Sequence, residues 1–228
     1  MILFFDIDDT LLDSEAAHYA AISKIIFDYS LNIIPDQVFR EWLQITDMYL
    51  KLYFRNEITA NQQRIIRIKK LWEIAGQQIA DEDALVAYKN YHQYFKESCF
   101  LFPETIPTLE KLKNYKMGII SNGPVADQNY KLERNGLIHY FDPIIISEGV
   151  GISKPQKEIF ELAAKQANEP LNECIFVGDS YELDYLGGAD AGMKTILIDR
   201  TGSQTNLNCR SIRSLNEISD QLKLMVEN

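Results

Sequence analysis

The chain has 228 residues, of which 46% are hydrophobic, and its 23 basic and 33 acidic residues give a formal net charge of −10. This length is sufficient for one large domain or for a domain with an insertion, and the hydrophobic content excludes global disorder. The acidic balance disfavours nonspecific binding to nucleic acids or anionic membranes. An anionic substrate would therefore need a local positive centre, such as a metal ion together with a lysine.

Cysteine usage and hydropathy favour a soluble, cytoplasmic protein. The cysteines Cys99, Cys174 and Cys209 are odd in number and widely spaced, which is not typical of a disulfide framework or a zinc cluster. No apolar run reaches the ~18 residues of a transmembrane helix. Met1 leads directly into the first apolar run, which leaves no room for a signal peptide.

The first predicted element is a strand that starts at Ile2 and runs into the acidic sequence Asp6-Ile7-Asp8-Asp9-Thr10. A continuous apolar run is typical of a central strand in a parallel sheet, and open α/β sheets bind ligands at the carboxyl ends of their strands. In an extended segment Asp6 and Asp8 point to the same side. Two such carboxylates need a cation or a chemical reason to tolerate each other, unless the strand simply runs into an acidic turn.

Residues 14–102 are predicted to form an all-helical insertion, because strand patterns are nearly absent and apolar residues recur at helical spacing. Two adjacent connections to the rest of the chain suggest a lid that hinges over the strand ends. The predicted helices begin after Asp13 and Ser14, near Val38, after a capping box of Thr59 and Gln62, and at Asp83.

After Phe102-Pro103-Glu104 strands and helices alternate, so residues 1–13 and 103–228 are predicted to form one core domain with a doubly wound parallel α/β sheet. The 33 residues from Ser121 to Lys154 (154 − 121) hold only a helix and a strand, so no second insertion fits there. The predicted elements are a helix at Thr105–Asn114, strands at Met117–Ile120, Ile144–Ile146, Cys174–Val177 and Thr195–Ile198, helices after Pro124 and Pro155, a polar loop opening at Gly202-Ser203-Gln204, and a last helix at Leu215–Met225.

Four short motifs follow apolar runs or begin helices, so they can converge at one end of this sheet. They are Asp6-Ile7-Asp8-Asp9-Thr10, Ser121-Asn122-Gly123, Lys154-Pro155, and Gly178-Asp179-Ser180 followed by Asp184. In type and order they resemble the motifs of the haloacid dehalogenase (HAD) superfamily of phosphohydrolases. The resemblance implies a Rossmann-like HAD core with the helical insertion as a C1 cap.

The resemblance also implies roles for the first two carboxylates. Asp6 would be the nucleophile that attacks phosphorus and forms an aspartyl-phosphate, a known type of covalent catalysis. Asp8 would protonate the departing alkoxide and then deprotonate the attacking water. Haloacid dehalogenases lack the second Asp because a halide leaves without a proton, so Asp8 favours a phosphatase or phosphomutase.

A magnesium ion is expected, because phosphoryl transfer depends on charge stabilisation and oxygen-only ligands suit Mg²⁺. The family pattern places this ion on the Asp6 carboxylate, the Asp8 backbone carbonyl and the Asp179 carboxylate. Asp184 would bind through water or hold the coordination shell; a helix cap or a surface acid is the alternative.

The phosphate group would meet the other two motifs. By resemblance, Ser121 and the backbone amides of Asn122 and Gly123 at a helix start would donate hydrogen bonds to the phosphate oxygens. Lys154 would neutralise charge between Asp6 and the phosphoryl group. Alone, a Lys-Pro dipeptide is usually solvated surface, and its value comes from its place in the series.

The insertion is expected to select the substrate. Parts of it and of the core resemble the bacterial noncanonical pyrimidine nucleotidases, a resemblance carried by Asn56-Glu57-Ile58-Thr59, Arg64, Arg67, Trp72, the run 147–155 and the run 184–192. Aromatic side chains of the insertion either stack on a base or form its core, namely Tyr19, Trp42, Tyr49 and Tyr53. His18 matches the position of a cap-hinge histidine in β-phosphoglucomutase-like members, or lies on an exposed helix face.

The sequence therefore predicts a Mg²⁺-dependent phosphatase of small phosphate monoesters, acting on nucleoside 5′-monophosphates. The main alternative is a sugar-phosphate phosphatase or phosphomutase, followed by a haloacid dehalogenase or a catalytically silent scaffold. The predicted partner is a small phosphate monoester, with no nucleic acid or membrane, and the oligomeric state stays open.

Overall fold

The computed structural model describes residues 1–55, 57–202 and 209–226. The chain divides into two compact units, a core unit of Met1–Asp13 with Phe100–Asn228 and a helical unit of Ser14–Cys99. Asn56 and the Ser203-Gln204 part of the predicted polar loop lie outside the described residues.

The chain returns to the core unit earlier than the predicted limit at residue 102. Leu101 forms an antiparallel bridge with Leu12, and the Phe102 N–H donates to the Leu11 carbonyl at 3.2 Å. These backbone contacts hold the returning segment beside the start of the chain, so the helical unit ends at Cys99.

The core unit contains a fully parallel sheet, in agreement with the predicted doubly wound α/β fold. Its strands stand in the order β3-β2-β1-β4-β5-β6. The strands are Ile2–Phe5 (β1), Lys116–Ser121 (β2), Ile144–Ile146 (β3), Cys174–Gly178 (β4), Lys194–Ile198 (β5) and Ser211–Ile212 (β6). The two-residue β6 was not predicted, because so short an edge strand leaves almost no pattern in the sequence.

The helices keep most of the predicted positions. They are Ser14–Asp28 (α1), Pro35–Phe54 (α2), Ala60–Ile74 (α3), Asp81–Ser98 (α4), Thr105–Lys111 (α5), Val125–Arg134 (α6), Ser147–Val150 (α7), Lys157–Gln166 (α8), Gly187–Ala191 (α9) and Ile218–Val226 (α10). The last predicted helix starts instead with a tight 3₁₀ turn at Leu215–Glu217, which Ser214 and Glu217 cap reciprocally. No helix in the described ranges combines the length and apolar character that crossing a membrane requires.

Strand β1 lies at the centre of the sheet, between β2 and β4. Phe5 pairs with Ile119 on one side and with Val177 on the other, and all four residues of β1 are fully buried. The strand order reverses between β1 and β4, and such a switch point opens a crevice at the carboxyl ends of the strands. Asp6 and Asp179 are the residues that follow these two strands.

Packing at this centre is close. A Cβ atom at Gly118, the partner of Phe4 in β2, would lie 2.6 Å from the Phe4 ring, so only glycine fits there. Phe4 belongs to a buried cluster that includes Phe160 and Phe176, whose rings are 5.4 Å apart. The strand ends that carry the site therefore stand on a rigid layer.

The helical unit has a hydrophobic core of its own, in which Trp42 and Tyr91 are central and their rings lie 5.0 Å apart. The predicted capping box is confirmed at the start of α3. Thr59 Oγ1 accepts a hydrogen bond from the Gln62 N–H, and the Gln62 side chain accepts one from the Thr59 N–H. Gly76, with φ of +69°, follows the end of α3 as predicted.

Candidate active site

The site is centred on a buried lysine between two buried carboxylates. Lys154 Nζ lies 2.7 Å from Asp6 Oδ1 and 2.7 Å from Asp184 Oδ1. All three residues are less than 10% exposed, although Lys154 is 148 positions from Asp6 in the chain. Lys154 is therefore not a solvated surface lysine, and Asp184 is not a surface acid.

Burial controls the charges of this group. Burial raises the pKa of Asp6 to about 6; the ammonium of Lys154 opposes this shift, while the negative charges of Asp184 and Asp8 add to it. Burial also raises the pKa of Asp179, with further contributions from Asp184 and Asp6. Burial alone would lower the pKa of Lys154, but the charges of Asp184 and Asp6 outweigh this effect and raise it. Lys154 is therefore a permanent cation at neutral pH.

Three carboxylates stand close enough to share one metal ion. Asp6, Asp179 and Asp184 each offer an oxygen, and these oxygens lie within 4.8 Å of one another. Asp184 Oδ2 accepts a hydrogen bond from the Ser180 N–H at 3.0 Å. The other oxygen, Oδ1, is buried and accepts no well-aligned hydrogen bond from the described residues, despite its short distance to Lys154.

These features fit a hard divalent cation. Three clustered carboxylates carry more negative charge than the one ammonium of Lys154 balances, which favours a further positive partner. Carboxylate oxygens alone are the donor set that Mg²⁺ prefers. Gly178 permits the arrangement, since a Cβ atom there would lie 2.3 Å from Asp184 Oδ2.

Asp8 lies beyond the end of β1, after a bend at Ile7, and forms an isolated bridge with Leu12, so the side-chain alternation of an extended strand does not relate it to Asp6. Strand β1 ends at Phe5, the chain bends at Ile7, and Asp9 adopts a left-handed conformation with φ of 55°. The Leu11 and Leu12 N–H groups both donate to the Ile7 carbonyl, which closes the loop. The Asp8 side chain is 31% exposed and is not one of the three clustered carboxylates.

The Asp8 carboxylate is held by helix α6. Lys131 Nζ lies 2.6 Å and 2.8 Å from its two oxygens, and Gln128 Nε2 donates to Oδ2 at 3.0 Å. The same Gln128 nitrogen donates to Ser121 Oγ at 2.8 Å. The predicted acid–base residue and the predicted phosphate-binding hydroxyl thus share one side chain as a partner.

The other two residues of the second motif, Asn122 and Gly123, form hydrogen bonds to other parts of the site. Asn122 Oδ1 accepts from the Lys154 N–H at 2.9 Å, and its amide donates to the Lys154 carbonyl at 3.1 Å. The Gly123 N–H donates to Ser147 Oγ at 3.0 Å. It can serve a phosphate only by exchanging that partner. Gly123 has φ of +141°, which disfavours a side chain.

The loop after β1 has a clamp that was not predicted. Arg200 donates from Nε to the Asp9 carbonyl at 3.2 Å and from Nη2 to the Thr10 carbonyl at 2.7 Å. Its Nη1 pairs with Glu104 at 2.6 Å, and its guanidinium lies 3.4 Å from the centre of the Phe102 ring. Arg200, which follows β5, therefore ties the loop that carries Asp8 to Phe102 and Glu104.

Three further site residues were missed from the sequence, namely Gln128, Lys131 and Ser147. The detectable signal was the amphipathic pattern of α6, where Gln128 and Lys131 stand three residues apart and are buried beside Leu132. Polar residues on the inner face of a helix that follows a ligand motif indicate a functional network. Ser147 lies at the start of the run 147–155 and shows no signal of its own.

Within the helical unit, the predicted base-stacking aromatics have mixed environments. Trp42 is fully buried and is core. Tyr19 is 37% exposed and its hydroxyl donates to Asp36, while Tyr49 and Tyr53 are half-buried. Of the two interpretations, base stacking and core, the core interpretation is therefore confirmed for Trp42.

Other residues of this unit named by resemblance are buried or half-buried. His18 lies in contact with the Tyr91 hydroxyl and stacks on Phe95 at 4.3 Å, so it is not on an exposed face. Arg67 is 3% exposed and donates to Gln63 and to Thr46. Trp72 is likewise buried, whereas Arg64 is half-buried over the Tyr88 ring.

Comparison with known proteins adds the family. A model described as haloacid dehalogenase-like hydrolase matches residues 1–192. The pyrimidine 5′-nucleotidase YjjG of Escherichia coli K12 is 33% identical over 195 residues, which are 85% of this chain and 83% of that protein. A glyceraldehyde 3-phosphate phosphatase of Methanothermobacter thermautotrophicus is 31% identical, with 86% of this chain and 84% of that protein covered.

Solved structures share the fold. The crystal structure of the HAD-hydrolase YfnB from Bacillus subtilis, bound to magnesium, has a TM-score of 0.84 at 24% identity and covers 97% of each chain. A 2-haloacid dehalogenase from Pseudomonas syringae has a TM-score of 0.65 at 23% identity, with 98% of each chain covered. Since the family match spans most of the sequence and the fold agrees over nearly all of it, this chain belongs to the haloacid dehalogenase-like hydrolase family.

Proposed function

We propose that this protein is a Mg²⁺-dependent phosphatase that hydrolyses small phosphate monoesters through an aspartyl-phosphate on Asp6, with nucleoside 5′-monophosphates as its substrates. The observation that carries the proposal is the group of buried Asp6, Lys154 and Asp184 with half-buried Asp179 at the switch point of the sheet. A second carboxylate, Asp8, stands two residues after Asp6 and has its own network of donors.

Asp6 has the properties of a nucleophile. With its pKa near 6 it is mostly ionised at neutral pH, and its burial removes the water that would otherwise shield it. Lys154 occupies Oδ1, and Oδ2 receives no hydrogen bond within the described part of the chain. The free oxygen attacks phosphorus while Lys154 reduces the repulsion between the carboxylate and the phosphate dianion.

The first step transfers the phosphoryl group to the protein. An Asp6 oxygen forms a bond to phosphorus, and the bond between phosphorus and the ester oxygen breaks. Asp8, in its protonated form, gives its proton to the departing alkoxide, so the products are the free alcohol and the aspartyl-phosphate. An alkoxide is too basic to leave efficiently without this proton.

The second step releases phosphate. The Asp8 carboxylate takes a proton from a water molecule, the water oxygen bonds to phosphorus, and the bond from phosphorus to Asp6 breaks. Asp6 is restored as a carboxylate and Asp8 as an acid, so the protons balance over one turnover. The Ser121 hydroxyl and the backbone N–H of Asn122 orient the phosphoryl oxygens through both steps.

Asp6, Asp179 and Asp184 would hold the magnesium ion. When bound, this ion supplies charge neutralisation and orientation of the phosphoryl oxygens. Lys154 remains between Asp6 and Asp184 as a fixed second positive charge, which fits a phosphate dianion better than a neutral substrate. The charge balance supports this assignment, since three clustered carboxylates face a single ammonium and a divalent cation would neutralise the excess negative charge.

The nucleotide assignment rests on the relative that is a pyrimidine 5′-nucleotidase and on the motifs of the helical unit that resemble that group. The rival assignment, a sugar-phosphate phosphatase, is favoured by the relative that acts on glyceraldehyde 3-phosphate. A dehalogenase is disfavoured by Asp8, because a halide leaves without a proton. A silent scaffold is disfavoured because every motif residue is present.

The test is phosphate release from pyrimidine and purine 5′-monophosphates, sugar phosphates and acetyl phosphate, with Mg²⁺ and with chelator. We expect metal-dependent release with the pyrimidine monophosphates first. Faster phosphate release from a sugar phosphate than from any nucleotide would replace the nucleotide assignment. No release from any ester would contradict phosphatase activity. Asp6→Asn should fold normally and lose at least about 1,000-fold in rate. If this variant kept full activity, Asp6 would not be the nucleophile.

A further inference from the structure

Helix α6 carries a buried cation that no step of the proposed reaction uses. Lys131 is 5% exposed, and its Nζ lies 2.6 Å and 2.8 Å from the two oxygens of Asp8. A lysine is almost never buried to this degree without a paired charge. The pair is formed across 123 positions of the chain.

Gln128, one turn earlier on the same face of α6, completes the arrangement. Its Nε2 lies 3.0 Å from Asp8 Oδ2, 2.8 Å from Ser121 Oγ and 3.1 Å from the Asn122 carbonyl. Gln128 is 2% exposed, so its position is fixed by packing. It therefore sets the distance between the Asp8 carboxylate and the second motif.

The position of Asp8 in its own segment leaves its side chain partly open to solvent. The residue follows a bend, precedes a left-handed Asp9, and has a side chain that is 31% exposed. A carboxylate so placed can rotate towards solvent at little cost. Proton transfer to an ester oxygen requires a donor within hydrogen-bond distance, so rotation would remove it from the reaction.

We propose that Lys131, together with Gln128, is a positioning residue that holds the Asp8 carboxylate beside the phosphate-binding motif, so that α6 sets the geometry of the proton transfer. This inference rests on the proposed function, because it takes Asp8 as the group that exchanges the proton. Lys131 acts through Asp8 and has no contact with phosphorus. The alternative is that Lys131 binds the phosphate itself.

Lys131 could position Asp8 or bind the phosphate directly. These two roles predict a different dependence of the reaction rate on the leaving group. A nucleoside or sugar alkoxide needs the proton of Asp8, whereas p-nitrophenolate leaves readily without one. The quantity to compare is kcat/KM, which covers the steps up to departure of the leaving group. Lys131→Met should lower kcat/KM for the best alkyl phosphate by about 100-fold, within the range of a positioned acid. The value for p-nitrophenyl phosphate should change by less than about 3-fold.

Two further variants make the test specific to Asp8. Lys131→Arg should restore most of the lost activity, since a guanidinium also pairs with both carboxylate oxygens. Asp8→Asn combined with Lys131→Met should be no slower than Asp8→Asn alone, because a residue that acts through Asp8 has no further effect once Asp8 is replaced. The matched control is Lys223→Met, which removes an exposed Lys–Asp pair of 2.9 Å on α10 and should leave both esters unchanged.

Equal losses on the alkyl and aryl esters would overturn the proposal and indicate direct phosphate binding by Lys131. An unchanged alkyl rate in Lys131→Met, or a further loss in the double variant, would also overturn it. Failure of the proposed function has a different signature, since wild-type protein would then release no phosphate or Asp6→Asn would stay active. Thermal unfolding of each variant shows whether a loss comes from misfolding.

Discussion

At the scale of single residues, burial decides the chemistry of the Asp6 group more than the number of its charges. Three carboxylates share a small buried volume with one ammonium, and Asp6 and Asp179 both have raised pKa values as a result. The cluster is short of positive charge until a cation binds. Exposed ion pairs of the same chain, such as Lys223 with Asp220, contribute far less because water screens them.

This imbalance predicts that cation binding competes with protons. A divalent cation binds the carboxylate and not the carboxylic acid, so as the pH falls through about 6 it must displace a proton from Asp6. We therefore expect Mg²⁺ affinity to fall as the pH is lowered through about 6, and the raised pKa of Asp179 acts in the same direction. Calorimetric titrations in two buffers of different ionisation enthalpy should detect proton release on Mg²⁺ binding near pH 6.

The same Mg²⁺ affinity at pH 5 and pH 8, without proton release, would contradict this prediction. Asp220→Asn provides the control, because this exposed residue on α10 lies outside the cluster and should leave the pH profile unchanged.

At the scale of elements, strand ends and helix starts bring the functional groups together. Asp6 follows β1, Ser121 ends β2, and Asp179 follows β4, so three neighbouring parallel strands deliver three groups to one edge. Helix α6 then returns Lys131 to the same edge. The local rules that start and stop these elements are therefore part of how the site forms.

The capping box of α3 provides a direct test of such a rule. Thr59→Ala removes the oxygen that accepts the Gln62 N–H at the exposed start of the helix. We expect the free energy of unfolding of the helical unit to fall by about 1 kcal/mol. Denaturant titration followed by tryptophan fluorescence measures this unit alone, because Trp42 and Trp72, the two tryptophans of the chain, both lie in it.

Ser23→Ala is the matched control for the cap. Its hydroxyl donates to the Tyr19 carbonyl in the exposed interior of α1, where such a bond does not support the helix. The control should change stability by less than about 0.5 kcal/mol. An equal effect of both substitutions would mean that the box at Thr59 has no capping role.

At the scale of the whole molecule, the chain has two units with separate cores. The helical unit is continuous in sequence, from Ser14 to Cys99, and its buried cluster is formed from its own four helices. The core unit is discontinuous, since β1 comes from the first residues and its neighbours β2 and β4 from the second segment.

This organisation predicts that fragment 14–99 folds by itself. Trp42 is fully buried and Trp72 is 4% exposed, both among residues of the same unit, so the fragment should keep blue-shifted tryptophan emission and a cooperative thermal transition. Trp42→Ala in the fragment should cost about 3–5 kcal/mol through loss of packing. Red-shifted emission from the unmodified fragment, with no transition, would refute its independence.

The sequence by itself determined the α/β class, the helical insertion and the cap of α3, which follow from local patterns. It named Asp6, Lys154, Asp179 and Asp184 as candidates through the resemblance of four motifs to the HAD superfamily, and the rule that parallel strands end at one edge predicted that such motifs converge. Only the tertiary structure decided that Asp8 lies beyond the strand and pairs with Lys131, that the Gly123 N–H donates to Ser147, that His18 contacts Tyr91, and that Trp42 is buried. Such pairings join residues many positions apart, and packing of complete elements selects their partners.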